Sequence, residues 1–175
     1  FRKIPELLKN PLLVCLYLLI LLVFTAHYTA YSYIEPFMRQ VGAISENAAT
    51  VILLLFGVAG IAGSVIFSRW GDRFNTRLML ISTILMLLSM LVLLFAVTSI
   101  WALSFVALLW GAALMLLIIS MQAKVIMVDV TAQDMLMSMF SGIINLGIGA
   151  GALFGGYAVT HISISSVGYV GAAIA

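Results

Sequence analysis

The chain has 175 residues, of which 65% are hydrophobic and only 8% are charged. Its mean hydropathy is +1.26, and its net charge is only +2. So few charged side chains cannot cover the surface of a water-soluble domain of this size, which excludes that class of protein. The composition predicts an all-α membrane protein, and we expect no nucleic-acid partner.

Several apolar runs are long enough to cross a bilayer, since about 20 helical residues span a hydrocarbon core of about 30 Å. Pro11 suits the first turn of a helix, and Pro36 disfavours helix at the residue before it, so a first span is predicted between them. Ser45 fits the N-cap of a second span, and residues 131–134 fit a capping box that starts a fifth. The predicted spans cover residues 12–33, 48–67, 78–97, 100–121, 135–159 and 167–175, the last of them truncated.

The ends of the chain suggest a piece of a longer protein, because it begins without Met and stops within an apolar run. Residues 1–10 are basic and amphipathic and predict a cytoplasmic linker, followed by a transmembrane bundle at residues 11–175.

Basic residues concentrate in alternate connections. Residues 63–77 join the second and third spans and carry three arginines and a glycine-marked turn. If the N-terminus is cytoplasmic, Arg39 is the one basic residue of the 8 that falls outside. The positive-inside rule therefore predicts a multi-pass protein with residues 63–77 and the N-terminus of this chain in the cytoplasm.

The first span carries a polar and aromatic stripe. Its members recur at steps of three and four residues and therefore share one helix face. They are Phe24, His27, Tyr28, Tyr31 and Glu35. One interpretation is that the face lines a cavity, with rings stacking on a ligand and with His27 and Tyr31 forming hydrogen bonds to its hydroxyl groups. An ionisable residue inside the membrane, such as His27, is a candidate for a functional site. The other is an interfacial aromatic belt, with His27 bonded to a neighbouring helix.

Deeper in the spans lie an amide, an indole and a glycine ridge. Asn145 either contacts ligand or bonds across helices, because hydrocarbon offers it no partner. Trp110 is too deep for an interfacial belt and either lines the cavity or packs in the core. Gly147, Gly151 and Gly155 form a ridge that favours close helix packing.

Catalytic chemistry has little support. Two distant histidines and one cysteine are too few for a Cys/His metal site. No glycine-rich phosphate loop follows a strand, and no Ser/His/Asp set can be assembled. We therefore expect no enzyme activity, no cofactor and no metal.

The segment SRWGDRFNTR resembles motif A of the major facilitator superfamily, which joins the second and third helices of each six-helix half. Ser68, Arg69, Gly71, Asp72 and Arg73 fall on its D-R-x-G-x-K core, with Ser68 in place of the acid. The run SGIINLGIGAGALFGGYAV is similar to the eleventh helix of the drug:proton antiporter branch. The whole chain resembles the C-terminal half of bacterial sugar efflux transporters of the SotB type.

The resemblance implies a six-helix C-terminal bundle with a 3+3 inverted repeat. It implies one half of a proton-coupled exporter that works by alternating access in the bacterial inner membrane. The substrates would be sugars, sugar analogues or small drug-like compounds. The implied partners are the small-molecule substrate, protons, the lipid bilayer and the missing N-terminal half. The alternative is a non-transporting membrane subunit that docks through the glycine ridge.

Two further expectations concern charged groups. Arg69, Arg73 and Arg77 are candidates to pair with Asp72, Asp129 or Asp134 and so latch one conformation, or else they only set topology and bind anionic headgroups. No carboxylate lies at mid-membrane. We therefore expect the coupling acid in the missing half, with Glu35 or His27 as further candidates.

Overall fold

The computed structural model describes residues 4–175, so Phe1, Arg2 and Lys3 of the predicted linker lie outside the described residues. The described part contains helices and no strand, which confirms the all-α class. The helices are α1 (Ile4–Leu7), α2 (Pro11–Tyr31), α3 (Ile34–Gln40), α4 (Glu46–Ala96), α5 (Ile100–Val128), α6 (Gln133–His161) and α7 (Val167–Ile174), with 3-10 turns at Val130–Ala132 and Ile164–Ser166. Four helical stretches of residues 4–175 are long and apolar enough to cross a membrane: Pro11–Gln40, Glu46–Ala96, Ile100–Val128 and Val130–His161.

Helix α4 folds back on itself at Phe74, whose backbone is not helical (φ −127°, ψ 19°). Ile52 and Leu93 line the same small cavity, although a straight helix would place them roughly 60 Å apart at 1.5 Å per residue. Helix α4 is therefore two legs, residues 46–73 and 75–96, which run in opposite directions. The predicted basic connection at residues 63–77 is mostly helical, and the reversal is confined to the immediate neighbourhood of Phe74.

Helix α5 packs along α4 with very close backbone approaches. A Cβ added at Gly63 would collide with the carbonyl oxygen of Ala112, and one added at Gly111 would collide with the carbonyl oxygen of Phe56. Small residues allow this proximity, and in a bilayer such packing replaces the hydrophobic drive between helices. The first leg of α4 and α5 therefore form one tightly joined unit.

Two side-chain contacts establish which helix ends lie together. Lys124 Nζ donates to Thr76 Oγ1 at 2.9 Å, so the end of α5 lies beside the reversal of α4. Tyr17 donates from its hydroxyl to the carbonyl of Leu136 at 2.9 Å, so the start of α2 lies beside the start of α6. Because only a short 3-10 turn separates α5 from α6, all four helix ends share one end of the bundle.

The opposite end carries an ion-paired corner. Arg39 Nη1 lies 3.7 Å from Glu35 Oε1 and 3.8 Å from Glu46 Oε2, which joins α3 to the start of α4. Ser45 Oγ accepts from the N–H of Ala48 at 3.4 Å and serves as the N-cap of α4.

The predicted capping box at residues 131–134 is wrong. Helix α6 begins at Gln133 without a side-chain cap. Thr131 instead donates from its N–H at 2.9 Å and from its hydroxyl at 2.6 Å to Asp129 Oδ1. The Asp129 carboxylate therefore caps the 3-10 turn that comes before α6. It accepts a hydrogen bond from the Thr131 hydroxyl, which the capping box would have used to cap α6.

Candidate functional site

Five rings from three helices meet inside the bundle, and we call them the His27 cluster. Its members are His27, Tyr28 and Tyr31 of α2, Phe56 of the first leg of α4, and Trp110 of α5. The His27 ring stacks on Tyr31 with centroids 5.0 Å apart and meets the Trp110 ring nearly at a right angle, at 5.3 Å. The predicted stripe therefore supplies three of the rings, and the other two come from helices that pack beside it.

The centre of the His27 cluster is buried, while Tyr28, Tyr31 and Phe56 at its edge are partly exposed. His27 and Trp110 are each only 2% exposed. His27 Nδ1 and Trp110 Nε1 are both buried with no hydrogen-bond partner among residues 4–175. A buried polar atom without a partner costs about 1–3 kcal/mol, so this packing carries two unfavourable groups in its centre.

A cavity of about 10 Å³ adjoins the cluster and is lined by Tyr31, Phe56, Trp110 and aliphatic side chains. A cavity needs about 10–15 Å³ to hold one water molecule, so this space is at the lower limit for a single water. It is far too small for a substrate. The structure therefore shows the His27 cluster in a closed arrangement.

Asn145 lies elsewhere, about 3 Å along the axis from the middle of α6. Its side chain is exposed, and Nδ2 donates to the carbonyl of Ser141 at 2.9 Å, within its own helix. Exposed polar and small residues share this face of α6 at helical spacing: Ser138, Ser141, Gly142, Asn145 and Gly149. The structure does not bring Asn145 to the His27 cluster.

The glycine ridge of α6 lies against α2. A Cβ added at Gly147 would lie 2.7 Å from Phe24 Cβ, and one at Gly151 would lie 2.6 Å from the carbonyl oxygen of Thr25. A Cβ at Gly155 would lie 2.5 Å from the carbonyl oxygen of Thr29. Gly151 is roughly 120° around the helix from Asn145, so the ridge and the polar face point in different directions.

The motif A residues surround the reversal of α4. The guanidinium carbons of Arg73 and Arg77 lie 5.3 Å and 5.7 Å from the centroid of the Phe74 ring. Gly71 is buried, and a Cβ there would lie 2.8 Å from the ring of Phe67. The glycine therefore makes room for a ring in the last turn of the first leg.

The anionic partners proposed for these arginines are not all in place. Within residues 4–175, no ion pair joins Asp72 or Asp134 to Arg69, Arg73 or Arg77. Residues 4–175 also contain no group of three or more His, Cys, Asp and Glu side chains that could hold a metal ion.

Sequence reasoning missed Phe56. It is one of 10 phenylalanines in the chain, and it lies in an apolar stretch where nothing distinguishes it from a lipid-facing residue. Only the packing of α4 on α5 places its ring 5.6 Å from Trp110.

The all-helical fold agrees with a comparison against known families. The family model of the Major Facilitator Superfamily matches residues 13–175, which is nearly the whole chain. The match covers the spanning helices from residue 13 onward, including the His27 cluster and the arginine-rich reversal of α4. The chain therefore belongs to the Major Facilitator Superfamily, a family of membrane transporters.

Proposed function

We propose that this chain forms one bundle of a proton-coupled secondary exporter. The bundle works by alternating access with a second bundle, the N-terminal half, and this chain is the C-terminal half. Substrates are sugars, sugar analogues or small drug-like compounds, and they bind near the membrane midplane between the two bundles. The membrane is the bacterial inner membrane, with the arginine-rich reversal of α4 on the cytoplasmic side.

The polar face of α6 carries this proposal. An exposed amide in the middle of a spanning helix is costly against lipid, and such groups almost always face protein or a water-filled cavity. Asn145 points away from the ridge that packs on α2. Among the described residues its side chain bonds to the carbonyl of Ser141 alone, through Nδ2, which leaves the carboxamide oxygen available to another group. A water-filled cleft between two bundles would provide the polar environment that this face of α6 needs.

Other features support the finer parts of the proposal. The resemblance of residues 141–159 to the eleventh helix of the drug:proton antiporter branch supports proton coupling and the substrate class. The His27 cluster places His27, Tyr28, Tyr31 and Trp110 on the helices that we propose to line the route. Arg69, Gly71, Asp72, Arg73 and Arg77 form the candidate gating element at the reversal of α4, whose arginines are available to new partners in another conformation.

The test uses the full-length protein in everted membrane vesicles with an imposed proton gradient. Uptake of a panel of labelled sugars, sugar analogues and drug-like compounds is measured with and without a protonophore. We expect gradient-dependent uptake of at least one compound. Asn145→Leu should lower this uptake about tenfold, which corresponds to the loss of about 1.4 kcal/mol of polar contact.

Asn47→Leu is the matched control, because it makes the same replacement at an exposed asparagine at the start of α4. It should leave uptake unchanged. Equal amounts of each variant in the membrane must be verified by immunoblot. Equal losses in both variants, or uptake that ignores the gradient for every compound, would contradict the proposal.

The alternative function is a non-transporting subunit that docks through the glycine ridge, and that surface is already covered. That interpretation uses Gly147, Gly151 and Gly155 to contact a partner protein. All three glycines already lie against α2 of the same chain. A partner could not reach the ridge without displacing α2.

A further inference from the structure

His27 is a buried ionisable group whose surroundings are unusual for an imidazole. Its ring is surrounded by Tyr28 at 4.8 Å, Tyr31 at 5.0 Å, Trp110 at 5.3 Å and Phe56 at 6.0 Å between centroids. The titratable groups that face it are the phenols of Tyr28 and Tyr31, both on α2. The first leg of α4 contributes Phe56 and α5 contributes Trp110, and neither side chain carries a titratable group.

The closed cluster favours the neutral ring. A protonated imidazole donates from both ring nitrogens, and His27 Nδ1 has no acceptor among residues 4–175. Among the described side chains, no carboxylate forms an ion pair with His27. The acid that follows it most closely in the chain, Glu35, is paired with Arg39 in α3. A positive charge in this place would therefore lack both water and a counter-ion.

A small, mostly apolar cavity adjoins the same cluster on the side of Tyr31 and Trp110. This cavity is at the size limit for one water, and Trp110, which lines it, has a buried N–H at Nε1 that would gain a partner from water. The α2 contacts in the cluster are made by side-chain rings, which can change rotamer without moving the backbone. In water, imidazole gains its proton at about pH 6.5, within the range where proton gradients operate.

We propose that His27 is a proton-coupling residue of this bundle. It is neutral while the His27 cluster is closed, and it takes up one proton when the cluster opens to water between α2, α4 and α5. By linkage, acid then favours the open cluster, since a ligand shifts a two-state equilibrium toward the state that binds it better. For a single proton, the ratio of open to closed cluster rises by at most about tenfold per pH unit below about pH 6.5.

As a coupling step, this inference rests on the proposed function, but its test does not require transport. The chain has 3 tryptophans, and the other two, Trp70 and Trp101, are 48% and 83% exposed. Replacing both by Phe leaves Trp110 as the fluorescent reporter inside the cluster. The emission maximum and acrylamide quenching of the full-length protein in lipid nanodiscs are measured from pH 8 to pH 5, with tryptophans outside this chain also replaced.

We expect emission to shift to the red and quenching to increase on acidification, with a transition that fits one proton. His27→Gln, which keeps a polar group but cannot be protonated, should abolish the transition. His161→Gln is the matched control. It removes the other histidine of the chain, which is exposed and stacked on Tyr157 at 4.3 Å, and it should leave the transition intact.

Two outcomes of the fluorescence experiment would overturn the inference. One is an acid transition that persists in His27→Gln. The other is a fall in intensity without a red shift or added quenching, because it would mean that His27 is protonated inside a closed cluster. The protein could show the His27-dependent transition and yet transport nothing along a proton gradient. That result would contradict the proposed function but would still support the proton-linked opening of the cluster. Unchanged proton-coupled transport by His27→Gln would contradict the coupling role alone.

Discussion

Two sides of helix α2 are packed in opposite ways. On one side, the carbonyl oxygens of Thr25 and Thr29 lie so close to Gly151 and Gly155 that a single added carbon would collide with them. On the other side, His27 and Tyr31 meet the large rings of Phe56 and Trp110, with two buried polar atoms unpaired among the described residues. We call the first the glycine seam, and the second is the His27 cluster.

The difference indicates which side can move. Backbone atoms in the glycine seam have no rotamers, so the two helices can separate there only as rigid bodies. The His27 cluster gains hydrogen bonds if water enters, and its rings have alternative rotamers. We therefore expect α2 and α6 to stay together while α2 changes its contacts with α4 and α5.

The largest effect is expected from Gly151→Ala in the glycine seam. The new methyl group would lie 2.6 Å from the Thr25 carbonyl oxygen and 2.7 Å from Tyr28 Cβ, and neither can move aside without shifting the helix. Overpacking of this kind costs about 1–3 kcal/mol, and contact with backbone favours the upper end. We expect a loss of about 3 kcal/mol of unfolding free energy, measured by denaturant titration in mixed micelles.

Gly149→Ala is the matched control, two residues away on the exposed face, where a new Cβ meets nothing within 4 Å. It should stabilise the protein by up to about 1 kcal/mol, because alanine loses less backbone entropy in a helix. If Gly149→Ala and Gly151→Ala have the same effect, the seam is not as tight as the structure indicates.

Much of the fold follows from the sequence, because bilayer thickness fixes the length of each span. The apolar runs, Pro11 and the position of the arginines predict the helices and identify which connections lie together. The superfamily prediction is confirmed by the family match over residues 13–175. The narrow reversal at Phe74 was not predictable, since long basic side chains end apolar runs without indicating where a helix bends.

The second effect concerns the His27 cluster and has the opposite sign. Trp110→Phe removes a buried N–H that has no partner among the described residues, which should stabilise the folded state by about 1–3 kcal/mol. The smaller ring packs less well, which should destabilise the folded state by about 1 kcal/mol. We expect the unfolding free energy to rise by about 1 kcal/mol, measured by the same titration. Trp101→Phe, at an 83% exposed position, should change nothing. A clear loss of stability in Trp110→Phe alone would contradict this prediction, because the unpaired indole N–H would then cost less than the packing that the larger ring provides.

The His27 cluster was only partly predictable. Helical spacing alone places His27, Tyr28 and Tyr31 on one face of α2. Which rings meet that face depends on the packing of α4 against α5, and nothing in the local sequence around Phe56 indicates it. The pattern also could not separate a lining face from a buried one, because both use aromatic residues at the same spacing.

The smallest effect is expected from Thr29→Val. This substitution tests whether side-chain hydrogen bonds stabilise the glycine seam. Thr29 is fully buried, and its hydroxyl donates to the Thr25 carbonyl at 2.7 Å. That carbonyl already accepts a helix hydrogen bond, so valine leaves no polar atom unpaired, and we expect a loss of no more than about 0.5 kcal/mol. Thr50→Val removes the same kind of bond, at 3.0 Å, from an exposed turn of α4 and should behave alike. A loss from Thr29→Val approaching that of Gly151→Ala would mean that the hydroxyl holds the carbonyl in position, and the seam would then depend on threonine as much as on glycine.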